Sequence, residues 1–196
     1  MSDMSPAPAR TSPDAILSAA RAILEEDGLD AVVMSRVAER VGVRGPSLYK
    51  HVTDRAALIR AVGEAVTADL ARHLSLAVSS GDARADLTAT AHAYRAFVQA
   101  NPHGYGVLFA NLSPDLQPDP EAIAELARPI VEAMSAIVAP DDALPAARTF
   151  VAWAHGFVSM EVAGAFRLGG SLDEAYAAGV ATILDGISGR ATPPAG

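Results

Sequence analysis

Ser35-Arg36-Val37-Ala38-Glu39-Arg40-Val41-Gly42-Val43-Arg44-Gly45-Pro46-Ser47-Leu48-Tyr49-Lys50-His51-Val52 is the stretch whose reading decides the fold. Residues 35–41 suit a short helix that Gly42 stops, and residues 45–51 suit a second one with Pro46 in its opening turn, where a missing N–H is harmless. Two short helices that cross steeply need a small residue at the contact, which Ala38 supplies. The turn between them needs a residue tolerant of positive φ, which Gly42 supplies. Val37, Val41, Val43 and Leu48 then fall on the inward faces. Arg36, Arg40, Arg44, Lys50, Arg55 and Arg60 face only Glu39 and Asp54 between positions 36 and 60, a local balance of +4. That pattern suits a DNA-reading helix-turn-helix, and it also suits an ordinary helical hairpin with a solvated charged face.

Outward from this stretch the chain reads as helices. Ser12-Pro13-Asp14 combines a capping hydroxyl, a proline at the first helical position and an acid in the first turn. Ile16, Ala19, Ala20, Ile23 and Leu24 follow at helical spacing up to Gly28. Thr53-Asp54 starts a fourth helix carrying Leu58, Ile59, Val62, Val66 and Leu70, interrupted by Gly81. Further helices are predicted over residues 82–100, around 103–110, over 120–138 with Pro129 kinking or splitting it, over 144–168, and from Ser171 to about 187. Sustained two-residue alternation rich in β-branched side chains is missing throughout. The predicted class is all-α with about nine helices, and no internal repeat is apparent.

Composition narrows the field further. The 196 residues are 51% hydrophobic and 19% charged, enough for one or two packed domains. The 42 alanines raise helix propensity along the whole length. Without cysteine there is no disulfide scaffold, thiolate zinc site, iron–sulfur cluster or cysteine nucleophile. Residues 1–12 carry no apolar signal stretch, and no apolar run reaches the roughly 18 residues of a membrane span, so a cytoplasmic protein is expected. The net charge of −8 argues against a nucleic-acid partner until it is divided by position. Residues 1–60 balance to zero, and residues 61–196, with seven Arg and fifteen Asp plus Glu, carry the whole −8.

Gly28-Leu29-Asp30-Ala31, Val37-Ala38-Glu39-Arg40-Val41-Gly42-Val43, Leu48-Tyr49-Lys50-His51-Val52 and Asp54-Arg55-Ala56-Ala57-Leu58 together resemble the N-terminal domain of the TetR family of bacterial transcriptional regulators. The resemblance spans roughly residues 12–60. It implies that residues 44–51 form a recognition helix, with Arg44, Gly45, Pro46 and Ser47 facing base edges and Tyr49, Lys50 and His51 holding the phosphate backbone. Arg44 suits a bidentate guanine contact, and Lys50 a phosphate anchor. The family usually starts its second helix with a capping threonine that also touches phosphate, whereas Val33-Met34 stand there in this chain. Ser35 is the candidate replacement; without it the helix loses a cap worth up to about 1 kcal/mol. The Gly45 position removes a side chain from the reading surface and points to a changed operator sequence.

Phe150-Val151-Ala152-Trp153-Ala154-His155-Gly156-Phe157-Val158-Ser159-Met160-Glu161 resembles the Trp-His-Gly signature of one TetR-family C-terminal domain type. Tyr94-Arg95-Ala96-Phe97, Asn101-Pro102-His103-Gly104-Tyr105 and Leu108-Phe109 resemble the aromatic passage around its fifth helix. Nine of the ten aromatics lie between residues 94 and 176. Tyr94, Phe97, Tyr105, Phe109, Trp153, Phe157 and Phe166, with Met134 and Met160, are candidates for lining an apolar cavity whose polar handles are His92, His155 and Glu161. The same residues at the same spacing also suit a plain core. Ala146, Ala147, Ala152, Ala154, Gly156, Ala163, Gly164 and Ala165, then Ala175, Ala177, Ala178, Gly179 and Ala181, give the last two helices small faces. The resemblance implies that these helices form the homodimer interface.

An enzyme is not expected. His51, His73, His92, His103 and His155 show no metal-ligand spacing, and neither a phosphate-binding glycine loop nor a nucleophile elbow occurs. No cofactor is implied. The expected organisation is a mobile arm at 1–9, a DNA-binding domain at 10–56, a ligand-sensing and dimerisation domain at 57–190 and a flexible tail at 191–196. The function implied is a dimeric repressor that binds a pseudo-palindromic operator and is released by a small apolar or amphipathic molecule. The alternatives are an activator of the same family and a helical protein-binding adaptor, the second of which leaves the +4 window unexplained.

Overall fold

A computed structural model describes residues 12–78, 80–109, 116–117 and 119–189. The predicted arm at 1–9 and tail at 191–196 lie outside the described residues. The described residues form nine α-helices and no strand: α1 (Pro13–Asp27), α2 (Met34–Val41), α3 (Gly45–Leu48), α4 (Arg55–Ser75), α5 (Ala83–Ala100), α6 (Pro102–Phe109), α7 (Pro120–Ser135), α8 (Ala143–Val162) and α9 (Leu172–Gly189). The all-α reading therefore holds.

The caps follow from the sequence. Ser12 Oγ accepts from the Ala15 amide at 3.1 Å, Asp54 Oδ1 from Ala57 at 2.8 Å, Asp82 Oδ1 from Ala85 at 2.7 Å and Ser171 Oγ from Glu174 at 3.2 Å. Each satisfies an amide that the first turn leaves without a partner. Several expectations are corrected. Met34, one residue ahead of Ser35, begins α2, and Val33 occupies the cap position with no side-chain hydrogen bond, so Ser35 does not replace the missing threonine as a cap. The third helix closes at Leu48, three residues short of His51, and the chain goes on as a turn in which the His51 and Val52 amides both donate to the Leu48 carbonyl (2.8 and 3.0 Å). Pro129 neither ends nor divides α7. The long apolar run ends as helix at Val162, where the Gly164 and Ala165 amides fold back onto Glu161 and Met160 (both 2.9 Å).

The chain forms two compact units. The first comprises Met1–Ala68 and Asn101–Pro120; the second comprises Asp69–Ala100 and Glu121–Gly196. In the first, Ile16, Ile23, Leu24, Val37, Leu48, Leu58 and Ile59 are at most 1% exposed. Burying each such side chain stabilises the unit by about 1.5–3 kcal/mol. Val41 and Val43, expected inside, are only half-buried. In the second unit α5, α8 and α9 pack around Tyr176, Phe150, Leu87 and Leu184, all fully enclosed.

Candidate nucleic-acid interface

The first unit presents α3 on a rigid support. Gly42 takes the left-handed conformation (φ 77°, ψ 33°), and the Val43 amide closes the turn on the Ala38 carbonyl at 2.9 Å. Ala38 and Leu48 are buried on either side of it. With Leu48 pinned inward, Arg44, Pro46, Tyr49, Lys50 and His51 are exposed, while Gly45 and Ser47 are half-buried. Pro46 lies in the first turn of α3, where a proline fits. Ser35 is exposed in the first turn of α2. The structure thus places five of the six exposed candidates on α3 and its flanks: Arg44 at the N-cap, Pro46 in the helix, and Tyr49, Lys50 and His51 from the C-cap into the turn after it.

The electrostatics are narrower than the +4 count indicates. Arg36 pairs with Asp27 at 2.5 Å, and Arg40 forks onto Glu26 at 2.5 and 2.6 Å. Arg40 holds the Glu26 carboxyl below the usual range, and Glu26 in turn raises the guanidinium. Arg55 donates to the carbonyls of Val32 (2.7 Å) and Leu29 (2.9 Å), which braces the 3-10 turn Leu29–Ala31 against the start of α4. Arg36, Arg40 and Arg55 of the window are therefore engaged inside the unit. Arg44 and Lys50 are exposed on either side of α3, at its N-cap and in the turn after it. Sequence spacing did not reveal this, because the acids sit at the end of α1, outside the counted window.

The second unit holds most of the aromatic candidates, and it arranges them around a residue that the pattern did not single out. Tyr176 stacks on Trp153 (5.3 Å, 24°), meets Phe157 (5.1 Å) and His92 (5.6 Å) edge-on, and donates its hydroxyl to the Ala91 carbonyl at 2.8 Å. Phe157 also packs on Phe166 at 4.9 Å. Burial pushes the Tyr176 hydroxyl above its ordinary pKa. Arg95 lies over the same ring at 5.1 Å. Its guanidinium forks onto Glu161 (2.8 and 2.6 Å) and reaches Asp173 at 2.7 Å, and Gln99 also donates to Glu161 at 3.0 Å. Arg95 holds the Glu161 carboxyl below the usual range. Tyr94 OH and His155 Nδ1 stand 3.4 Å apart, and burial lowers the His155 pKa. Met134 and Phe97 are buried, whereas Met160 is exposed.

Tyr105 and Phe109 belong to the first unit, 4.8 Å apart, with Tyr105 buried and Phe109 half-exposed. Sequence reasoning also missed a cleft of about 390 Å³ between the start of α8 and the end of α9, lined by Val138, Pro145, Ala146, Thr149, Thr182 and Ile183 among others. None of the aromatic candidates lines it.

Comparison with known proteins matches both parts of this description. Residues 16–62 match the family described as bacterial regulatory proteins, tetR family, and residues 87–183 match the family described as tetracyclin repressor-like, C-terminal domain. An uncharacterized HTH-type transcriptional regulator of Mycobacterium tuberculosis is 33% identical over 162 residues, covering 80% of this chain and 73% of its own length. The class A tetracycline repressor protein from transposon 1721 of Escherichia coli is 34% identical over 86 residues, 44% of this chain and 39% of its own. A solved structure of a protein of unknown function from Rhodococcus sp. RHA1 superposes with a TM-score of 0.79 at 26% identity, covering 95% of this chain and 100% of that one.

Proposed function

The chain belongs to the TetR family, whose members are DNA-binding transcriptional regulators and not enzymes, and from that premise we propose a homodimeric cytoplasmic repressor that a small apolar or amphipathic molecule releases from its operator. One observation carries the reading: the exposed set Arg44, Pro46, Tyr49, Lys50 and His51 around the anchored Leu48. Residues 10–56 are the DNA-binding domain and residues 57–190 the sensing and dimerisation domain. Arg44, with Gly45, Pro46 and Ser47, meets base edges, its guanidinium matching guanine O6 and N7; Tyr49, Lys50 and His51, with Ser35, hold phosphates. One four-residue helix reads too few bases alone. A dimer through α8 and α9 places two readers about one DNA turn apart, roughly 34 Å, on a pseudo-palindrome.

The effector site is assigned to the second unit, with His92, Tyr94, Phe97, Met134, Trp153, His155, Phe157 and Met160 as its candidates; Tyr105 and Phe109, the other two candidates of the sequence, belong to the first unit. The repressor sense is drawn from the tetracycline repressor proteins among the relatives. A ligand acts only if it binds one reader spacing better than the other, and movement of α4 is the route by which it changes that spacing. Footprinting across the DNA flanking the gene tests the reading. Two protected half-sites with centres about 10 base pairs apart, lost on adding a hit from an apolar-ligand screen, are the expected result. An absence of any protected site refutes it and favours the protein-binding adaptor. Protection that coincides with raised transcription replaces repressor by activator.

A further inference from the structure

Arg36 and Arg40 are the two cations of α2, four positions apart and therefore on one face of the helix. Both line a single groove of about 300 Å³, together with Glu39 and with Ile23 of α1. In a helix-turn-helix the first helix crosses the nucleic-acid backbone, where a pair of cations on one face is suited to holding phosphates. Here the end of α1 supplies both with anions instead. Arg40 donates twice to Glu26, at 2.6 and 2.5 Å, and Arg36 donates to Asp27 at 2.5 Å. A guanidinium forks onto a phosphate in the same way as onto a carboxylate, so Glu26 takes the place that a phosphate would fill.

The two acids do little for the fold. The last turn of α1 carries Glu26 and Asp27 and no basic residue, although the negative end of a helix dipole favours cations. The four paired side chains are 39–52% exposed, and ion pairs this open to solvent add little stability. Their larger effect falls on the surface that meets nucleic acid. Each cation kept from a phosphate removes the release of one condensed counterion, the term that drives binding irrespective of sequence.

We propose that Glu26 and Asp27 are specificity-determining residues, internal counter-anions that withhold Arg36 and Arg40 from phosphates and so hold down sequence-independent DNA binding. This rests on the regulator reading above and concerns the first unit alone. With the α2 pair silenced, more of the affinity depends on Arg44 and the other residues on and beside α3 that meet base edges, and less on backbone contacts that any duplex offers.

The test is fluorescence anisotropy of the full chain on a random-sequence duplex and on its footprinted duplex, over a salt series, in the parent, Glu26→Gln, Asp27→Asn, the double variant and Glu39→Gln. The amides keep the shape and remove the charge. Glu39→Gln is the charge control, because Glu39 lines the same groove without pairing with either arginine. Glu26→Gln and Asp27→Asn are each expected to tighten the random duplex by up to about eightfold near 0.1 M salt and to steepen the slope of log affinity against log salt by about 0.9. The double variant is expected to add the two effects, and its preference for the footprinted duplex to narrow. Adding Arg36→Gln and Arg40→Gln to it is expected to restore the parent slope. Glu39→Gln, which frees no guanidinium, is expected to change affinity by less than about twofold. Should Glu26→Gln fail to fold, Asp27→Asn carries the test alone. Folded acid variants with the parent slope overturn the proposal. So does an equal gain in Glu39→Gln, which reduces the effect to net charge, and so does a footprinted duplex that gains as much as the random one. A parent that binds neither duplex refutes the regulator reading first.

Discussion

Replacing Glu161 by leucine strips the Arg95 guanidinium of its principal partner. Arg95 is 8% exposed, donates twice to Glu161 at 2.8 and 2.6 Å, and otherwise pairs with Asp173, whose side chain is 87% exposed. Solvent screens that remaining pair, so most of the charge is left without compensation. Breaking a buried pair from one side costs about 3–5 kcal/mol, and the lower end applies because Asp173 stays. For a chain of this length the loss lowers the melting temperature by roughly 6–12 °C. The double replacement Arg95→Met with Glu161→Leu removes both charges, fills similar volume over the Tyr176 ring and returns to within about 1 kcal/mol of the parent. The assay is urea unfolding followed by circular dichroism and by the fluorescence of Trp153, the only tryptophan, which stacks on Tyr176 at 5.3 Å. A single variant costing under about 1 kcal/mol, or a double as unstable as the single, refutes the claim that this pair is a desolvated anchor of the second unit.

Other expectations follow from the same contacts. A Cβ on Gly179 would overlap the Trp153 ring, so Gly179→Ala is expected to cost about 1–3 kcal/mol in the same unfolding assay. Val33→Thr supplies the absent side-chain cap of α2 and is expected to raise stability by about 0.5–1 kcal/mol in denaturant titration. Stability is expected to fall on both sides of neutrality, as read from urea midpoints against pH. With its pKa held below 6.5, His155 takes up its proton more readily in the unfolded chain, so its contribution fades as pH drops below 6.5. Glu161, held below 4.5, withdraws its stabilisation as pH falls under 4.5. Tyr176, raised above 10.0, stays neutral in the fold while the unfolded chain ionises, so stability declines as pH rises past 10.0.

What was legible in the sequence was local. Ser12, Asp54, Asp82 and Ser171 announce helix starts because each bonds three residues along the chain. Gly42 and Ala38 announce the crossing of α2 and α3 because only small or φ-tolerant residues fit there. The pairings were not legible. Arg36 finds Asp27 nine positions away and Arg40 finds Glu26 fourteen away, across a turn whose angle no periodicity encodes. Arg95 and Glu161 are 66 positions apart, and Tyr176 organises a cluster whose other members had been noticed for their spacing alone. The start of α6 has a faint signal, Pro102-His103-Gly104, but the Glu25 carboxylate that accepts from the His103 and Gly104 amides comes from 78 residues upstream of His103. The end of α3 at Leu48 was not legible because the residues after it remain compatible with helix by propensity, and no local signal marks the change to a turn.

The exposed residues on and beside α3 are the centre of the account, and salt-dependent binding of the parent, Lys50→Ala and Arg44→Ala to the footprinted duplex and its single-base variants tests it most directly. Lys50→Ala is expected to weaken binding to every duplex alike and to reduce the slope of log affinity against log salt by about 1. Arg44→Ala is expected to cost about 1–3 kcal/mol on the parent site and to relax preference at one base position. If both variants bind the duplex set like the parent, with the same slope and the same base preferences, residues 44–51 do not read DNA.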